Sequence, residues 1–261
     1  MFYALAEGKI DTDGITYVHE LQDIETLNRR ALRGELEVTA VSIHAYAYLA
    51  DRYALLPHGA SMGDRYGPRL VAREPATRDG VRGARVAVPG TLTTAYLALK
   101  LFEPDFVAVP TPFDEIEEAV LSSKVDFGLL IHEGQLTYAE RGLYLVADMG
   151  EWWYETTGLP LPLGGNVVRK DLGEALVETI SRHLRASIAY GLEHRAKALD
   201  HAMRYARALD RGKADQFVGM YVNDWTLDYG PRGREAVRRL LERGVDAGVI
   251  TRPVTVEFVG G

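Results

Sequence analysis

The sequence predicts an α/β protein of two lobes, and three observations predict it. Short apolar runs of strand length alternate with amphipathic helical segments up to about residue 165, which is the pattern of βαβ units. Polar connections rich in Pro and Gly interrupt the alternation at residues 74–82 and 165–169, and both read as crossings between lobes. Beyond Leu172 the periodicity is almost wholly helical, so the chain ends as helices returning to the first lobe. The expected division is a larger, discontinuous α/β domain of residues 1–74 and 167–261 and a smaller α/β domain of residues 75–166.

Taken in order, residues 2–8 read as the end of a helix stopped by Gly8, and residues 15–20 as a strand. Residues 23–33 are helical, with Asp23 as N-cap, Ile24, Leu27, Ala31 and Leu32 as the apolar face, and Gly34 as terminator. Residues 38–42 form a strand and residues 43–53 the next helix. Ser42 stands at their junction, where its hydroxyl either caps that helix or faces a ligand. After a strand at 68–73 the pattern restarts with a strand at 85–88 and a helix ending at Phe102. Between them lie Pro89-Gly90-Thr91-Leu92-Thr93-Thr94. Threonines and unpaired N–H groups at a helix start suit an anion, and Thr93 capping the helix is compatible with that.

Strands at 106–109, 127–131 and 143–149 follow, with helices at 113–122 and 134–140 between them. The run Phe127-Gly128-Leu129-Leu130-Ile131 reads as a buried strand of a parallel sheet that delivers His132 and Glu133 where it stops. Ligands of open α/β sheets sit beyond the carboxyl ends of strands, so His132 is the first candidate for chemistry, its alternative being a strand-end cap. Trp152, Trp153 and Tyr154 form a cluster that serves either packing or a wall for a flat ring. Gly164-Gly165 marks a place where backbone comes close to something. Helices at 174–192, 196–209, 214–222 and 233–247 complete the chain, with a candidate closing strand at 255–259.

Composition excludes several functions. The formal charge of −7 offers no concentrated basic face for nucleic acid. No stretch reaches the length of a membrane span, and residues 1–10 lack an export signal, so the expected location is cytoplasmic. With no cysteine there is no disulfide, thiol nucleophile or thiolate metal site. His194 and His201 have no carboxylate at ligand spacing, and no metal is expected. Two lobes with Ser42 on one side and Thr93, Thr94 and His132 on the other describe a cleft for a small molecule. This is the geometry of a type II periplasmic-binding-protein-like fold, and the chain does not indicate an oligomeric state.

Specific segments carry a resemblance. Leu92-Thr93-Thr94-Ala95-Tyr96, Leu129-Leu130-Ile131-His132-Glu133, and Trp152-Trp153 followed by Thr157-Gly158-Leu159-Pro160-Leu161-Pro162-Leu163-Gly164 are similar to the 1,4-dihydroxy-6-naphthoate synthases of the futalosine route to menaquinone. The likeness continues through Glu25-Thr26-Leu27-Asn28-Arg29 and Tyr221-Val222-Asn223. It implies a cofactor-free carbon–carbon lyase converting cyclic dehypoxanthinylfutalosine to dihydroxynaphthoate and dihydroxyacetone. It also implies His132 as proton acceptor, with substrate contacts at Ala40, Val41 and Ser42 in the first lobe and at Thr94 and Ala95 in the second. The sister enzyme of that route, chorismate dehydratase, shares the fold but differs at the Ile-His-Glu element; a non-catalytic binding protein of this shape is the other alternative. Family members begin with an extra strand and a Ser-Pro-Cys-Pro-Asn-Asp-Thr-Phe loop, so the expectation is a start upstream of Met1 that would complete the first lobe's sheet.

Overall fold

The computed structural model describes residues 1–204 and 210–260. The first lobe opens with α1 (Tyr3–Ala6) and α2 (Ile24–Arg33), then β1 (Val38–Ser42), α3 (Ile43–Tyr46), β2 (Tyr53–Leu55) and β3 (Ser61–Gly63). The second holds β4 (Arg69–Ala72), β5 (Arg85–Val88), α4 (Thr94–Phe102), β6 (Val107–Pro110), α5 (Ile116–Leu121), β7 (Phe127–Leu130), α6 (Gly134–Thr137) and β8 (Tyr144–Asp148). There follow α7 (Met149–Thr157), β9 (Leu161–Arg169), α8 (Glu174–Glu193), α9 (Arg195–Met203), α10 (Arg211–Tyr221), α11 (Asp224–Leu227) and α12 (Gly230–Asp246).

Two sheets result. In the first, the long β9 pairs antiparallel with β1 on one side and with β2 and β3 on the other; Val41 faces Gly165 and Ser42 faces Gly164. In the second, the order is β6-β5-β7-β4-β8, with β5 parallel to β6 and β7, and β4 antiparallel to β7 and β8. β7 is buried on both faces, as its apolar run requires. The parallel part of that sheet is its β6-β5-β7 side, so the expectation of parallel βαβ units holds for β5, β6 and β7 and fails for β4, β8 and the whole first sheet.

The crossings also move. Residues 74–82 connect β4 to β5 within one sheet, and Gly164-Gly165 lies inside β9, so neither is a crossing. The chain changes sheets between β3 and β4 and again between β8 and β9, and the sheet boundaries fall ahead of residues 74 and 167. Pro and Gly mark any sharp connection, and composition cannot tell one within a lobe from one between lobes.

Three further segments differ from the sequence reading. Residues 15–20 form no strand, and Val18 and the nearby Leu21 are exposed. The helix expected at 43–53 is a single turn followed by turns and β2; nearly every residue there is buried, which erases the polar face that would mark a helix boundary. The closing strand reduces to one bridge between Leu55 and Phe258. The helix expected at 196–209 is seen as α9 to Met203, and its end lies outside the described residues.

One apolar cluster joins the lobes. It takes Val41, Ile43, Tyr53 and Leu55 from the first and Leu70, Val86, Val88, Leu97, Leu99 and Leu129 from the second. On β5 the alternation is clear: Val86 and Val88 face this core, while Ala87 faces a second cluster with Ile116 and Val120 of α5. α8 lays Val177, Ile180, Leu184 and Ile188 against Leu56 and Val168, the i, i+3, i+4 spacing of a helix that buries one face.

Candidate active site

The end of β7 carries His132, the residue singled out by the sequence. Beyond Ile131 the backbone of His132 turns into the left-handed region, with φ +56°, a conformation that costs a β-branched residue heavily and that His tolerates better. The turn is held on both sides. The His132 carbonyl accepts from the Gln135 N–H at 3.2 Å. With the Gln135 amide oriented to satisfy its neighbours, its oxygen accepts from the His132 N–H at 3.3 Å and its nitrogen donates to the Gly67 carbonyl at 2.9 Å, in the crossing between β3 and β4. The imidazole is half-buried, meets Phe113 edge-on at 4.7 Å between ring centres, and has Phe217 of α10 at 6.4 Å. Burial pushes its pKa below the ordinary histidine value, while the carboxylates of Glu133 and Asp23 pull the other way. A ring that is neutral near pH 7, beside two aromatic walls, is ready to accept a proton. Glu133 makes no capping bond to α6.

The start of α4 lies against the first lobe. Thr93 is its cap: the hydroxyl accepts from the Tyr96 N–H at 3.2 Å and donates to the Gly90 carbonyl at 2.8 Å. Thr94 reaches the other lobe, where its oxygen accepts from the His44 N–H at 3.2 Å, leaving its own proton available as a donor. The His44 Nδ1 lies 3.3 Å from the Thr93 carbonyl, its ring stacks on Tyr96, and its Nε2 is buried without a partner among the described residues. Burial pushes the His44 pKa down to about 4. Thr94 and Ala95 are both buried.

The first lobe contributes the end of β1 and one strip of α2. Ser42 does not cap α3; it pairs with Asn28, accepting from the amide at 3.1 Å and donating its own N–H to the amide oxygen at 2.9 Å. Ala40 is half-buried, and Val41 is fully buried in the shared core, so Val41 offers a ligand only its main chain. One turn before Asn28, the Glu25 carboxylate lies against Gly90 of the second lobe. The His44–Thr94 bond and the Glu25–Gly90 contact form a seam between the lobes, to which Ser42 is tied through Asn28, while the charge of Asp23 in the turn before α2 acts on His132.

Glu25, Asn28, His44, Phe113 and Phe217 are neighbours in that seam which the sequence reading did not select. Glu25 and Asn28 left a signal, a polar pair at i, i+3 beside the apolar Ile24 and Leu27; Phe217 is distant in the chain and left none. The aromatic cluster serves packing: Trp153 is fully buried and donates to the Pro160 carbonyl at 3.1 Å. His201 does have a carboxylate, Glu7 at 3.0 Å, and His194 stacks on Tyr190. No cluster of three metal-ligating side chains occurs among the described residues. A pocket of about 560 Å³ lined by Arg85, Thr111, Glu118 and Lys124 shares no residue with the seam. No described helix is long and apolar enough to cross a membrane.

Comparison with known proteins places this arrangement. The fold is that of periplasmic binding proteins: the alkanesulfonate-binding protein of Xanthomonas axonopodis pv. citri superposes with a TM-score of 0.67 at 11% identity, covering 97% of this chain and 92% of that one. A crystal structure of an Archaeoglobus fulgidus protein is much nearer, with a TM-score of 0.91 and 48% identity over 95% of this chain and 92% of its own. Among curated proteins, the 1,4-dihydroxy-6-naphthoate synthase of Thermus thermophilus is 44% identical over 92% of this chain and 87% of its length. That of Streptomyces coelicolor is 40% identical over 96% of this chain and 90% of its length. A menaquinone biosynthesis family profile matches residues 1–246. The chain belongs to the menaquinone biosynthesis family, together with the 1,4-dihydroxy-6-naphthoate synthases.

Proposed function

We propose that the chain is a carbon–carbon lyase that converts cyclic dehypoxanthinylfutalosine to 1,4-dihydroxy-6-naphthoate and dihydroxyacetone, with His132 as the proton acceptor. The observation that carries this reading is the imidazole of His132, held at a strand end on a left-handed backbone, with burial lowering its pKa. Breaking the bond between the sugar-derived ring and the bicyclic system requires removal of a hydroxyl proton, and the aromaticity gained by the product supplies driving force. A neutral imidazole takes that proton. The Thr94 hydroxyl and the first N–H groups of α4, including that of Ala95, polarise a carbonyl or hold an anionic group of the substrate. Ala40, Val41 and Ser42 bound it from the opposite side. Because Ser42, Thr94 and Ala95 are buried, substrate enters only when the lobes part, and their closure then excludes water. The step uses side chains alone, without a cofactor, and the location we propose is the cytoplasm.

His132→Ala should reduce turnover roughly a thousandfold, a loss typical of removing a general base, while calorimetry still detects substrate binding. Turnover near the wild-type rate would overturn the base assignment. Binding by the wild type without naphthoate formation would favour a non-catalytic binding protein instead.

A further inference from the structure

We infer that Glu25 is a specificity-determining residue of this cleft, its carboxylate accepting a hydrogen bond from a hydroxyl of a polyhydroxylated ligand. The inference rests on the proposed function only in taking that ligand to be the sugar-derived part of the substrate. Three observations support it. First, Glu25 lies in the opening turn of α2 with its side chain 14% exposed, and only one of its oxygens is engaged, Oε1 by Arg29 at 2.8 Å. Oε2 is buried and has no hydrogen-bond partner among the described residues. A buried carboxylate oxygen without a donor is costly, and a ligand hydroxyl would relieve it.

Second, the oxygen's place depends on the opposite lobe. Gly90 has φ +143°, a backbone that L side chains rarely adopt, and a Cβ there would overlap the Glu25 carboxylate. The Gly90 carbonyl is tied to the Thr93 hydroxyl at 2.8 Å, so the surface under Glu25 is continuous with the start of α4. Third, the other carboxylate of that turn is already committed: Asp23 accepts from the Thr26 N–H at 3.0 Å and from the Thr26 hydroxyl at 2.5 Å. Glu25 is therefore the acceptor in this turn that can still take a donor. Asp23 contributes to the field at His132, so the turn that carries Glu25 lies within electrostatic reach of that imidazole. A carboxylate also repels anions, which directs the acidic end of the substrate away from Glu25.

The test measures binding of cyclic dehypoxanthinylfutalosine in the His132→Ala background, where turnover does not intervene. Adding Glu25→Gln should weaken binding roughly ten- to a hundredfold, the range for a hydrogen bond to a charged group, with an unchanged thermal midpoint. Gly90→Ala, which keeps Glu25 but crowds its carboxylate, should weaken binding by a comparable factor. An analogue lacking the recognised hydroxyl should bind equally with and without Glu25→Gln, which a merely structural role would not produce. Equal binding of the parent substrate with and without Glu25→Gln overturns the inference even if the wild type forms naphthoate. If the His132→Ala protein binds but the wild type forms no product, the lyase reading falls and the Glu25 assignment is decided by the ratio of dissociation constants. If nothing binds, both fall.

Discussion

Burial favours the neutral form of His44, His58 and His132. His44 and His58 are nearly inaccessible, and desolvation pushes each down to about 4; His132 is lowered by the same cause. In the unfolded chain they titrate near 6.5, so as pH falls the unfolded state binds protons that the folded state excludes. Their contribution to stability is present above about pH 6.5 and is lost between there and pH 4, on the order of 3 kcal/mol for each of the two most buried. The urea midpoint should accordingly be clearly lower at pH 5 than at pH 7, and equal midpoints would refute this account. His132 could be singled out from the sequence because strand ends in α/β sheets are where ligands lie. His44 could not: within Ser42-Ile43-His44-Ala45-Tyr46 it reads as one residue of a buried run, and its partner Thr93 lies 49 residues away in the chain.

At the scale of elements, β9 holds the first sheet together, pairing with β1, β2 and β3. Its two adjacent glycines are needed for close approach. A Cβ at Gly165 would overlap the buried hydroxyl of Tyr229, and one at Gly164 would lie 3.0 Å from the Val41 carbonyl. Gly165→Ala should therefore destabilise the protein by about 3 kcal/mol, as overpacking of a tight core does, measured by chemical denaturation. Reading Gly164-Gly165 as a place of close backbone approach was right, and reading it as a crossing was not, because both situations select for a missing side chain. α2 was legible to its ends, Asp23 accepting from Thr26 and Gly34 terminating it, because caps are local chemistry. The strand expected at 15–20 failed for the converse reason: alternation alone does not supply a neighbouring strand. Likewise Ser42 has the residue type and position of a cap, yet Asn28 claims its hydroxyl.

For the whole molecule, the alternating pattern and the periplasmic-binding-protein-like fold were readable, whereas which strands share a sheet was not. Sheet membership follows from long-range pairing, such as Arg69 with Leu130 and with Asp148, which no local window contains. The apolar cluster that runs from Val41 and Leu55 to Val86 and Leu129 makes the lobes one cooperative unit. Calorimetry should show a single melting transition, with calorimetric and van't Hoff enthalpies in agreement; two resolved transitions would show the lobes melting separately. A common core also shapes how such a chain can change over generations. Side chains such as Leu97 and Val88 serve both the foundation of the cleft and the cohesion of the fold, so a substitution there alters affinity and abundance together. New ligand preferences are therefore expected to arise first at the seam's edge, where Glu25 and Ala40 stand outside that cluster and can vary without passing through an unstable intermediate.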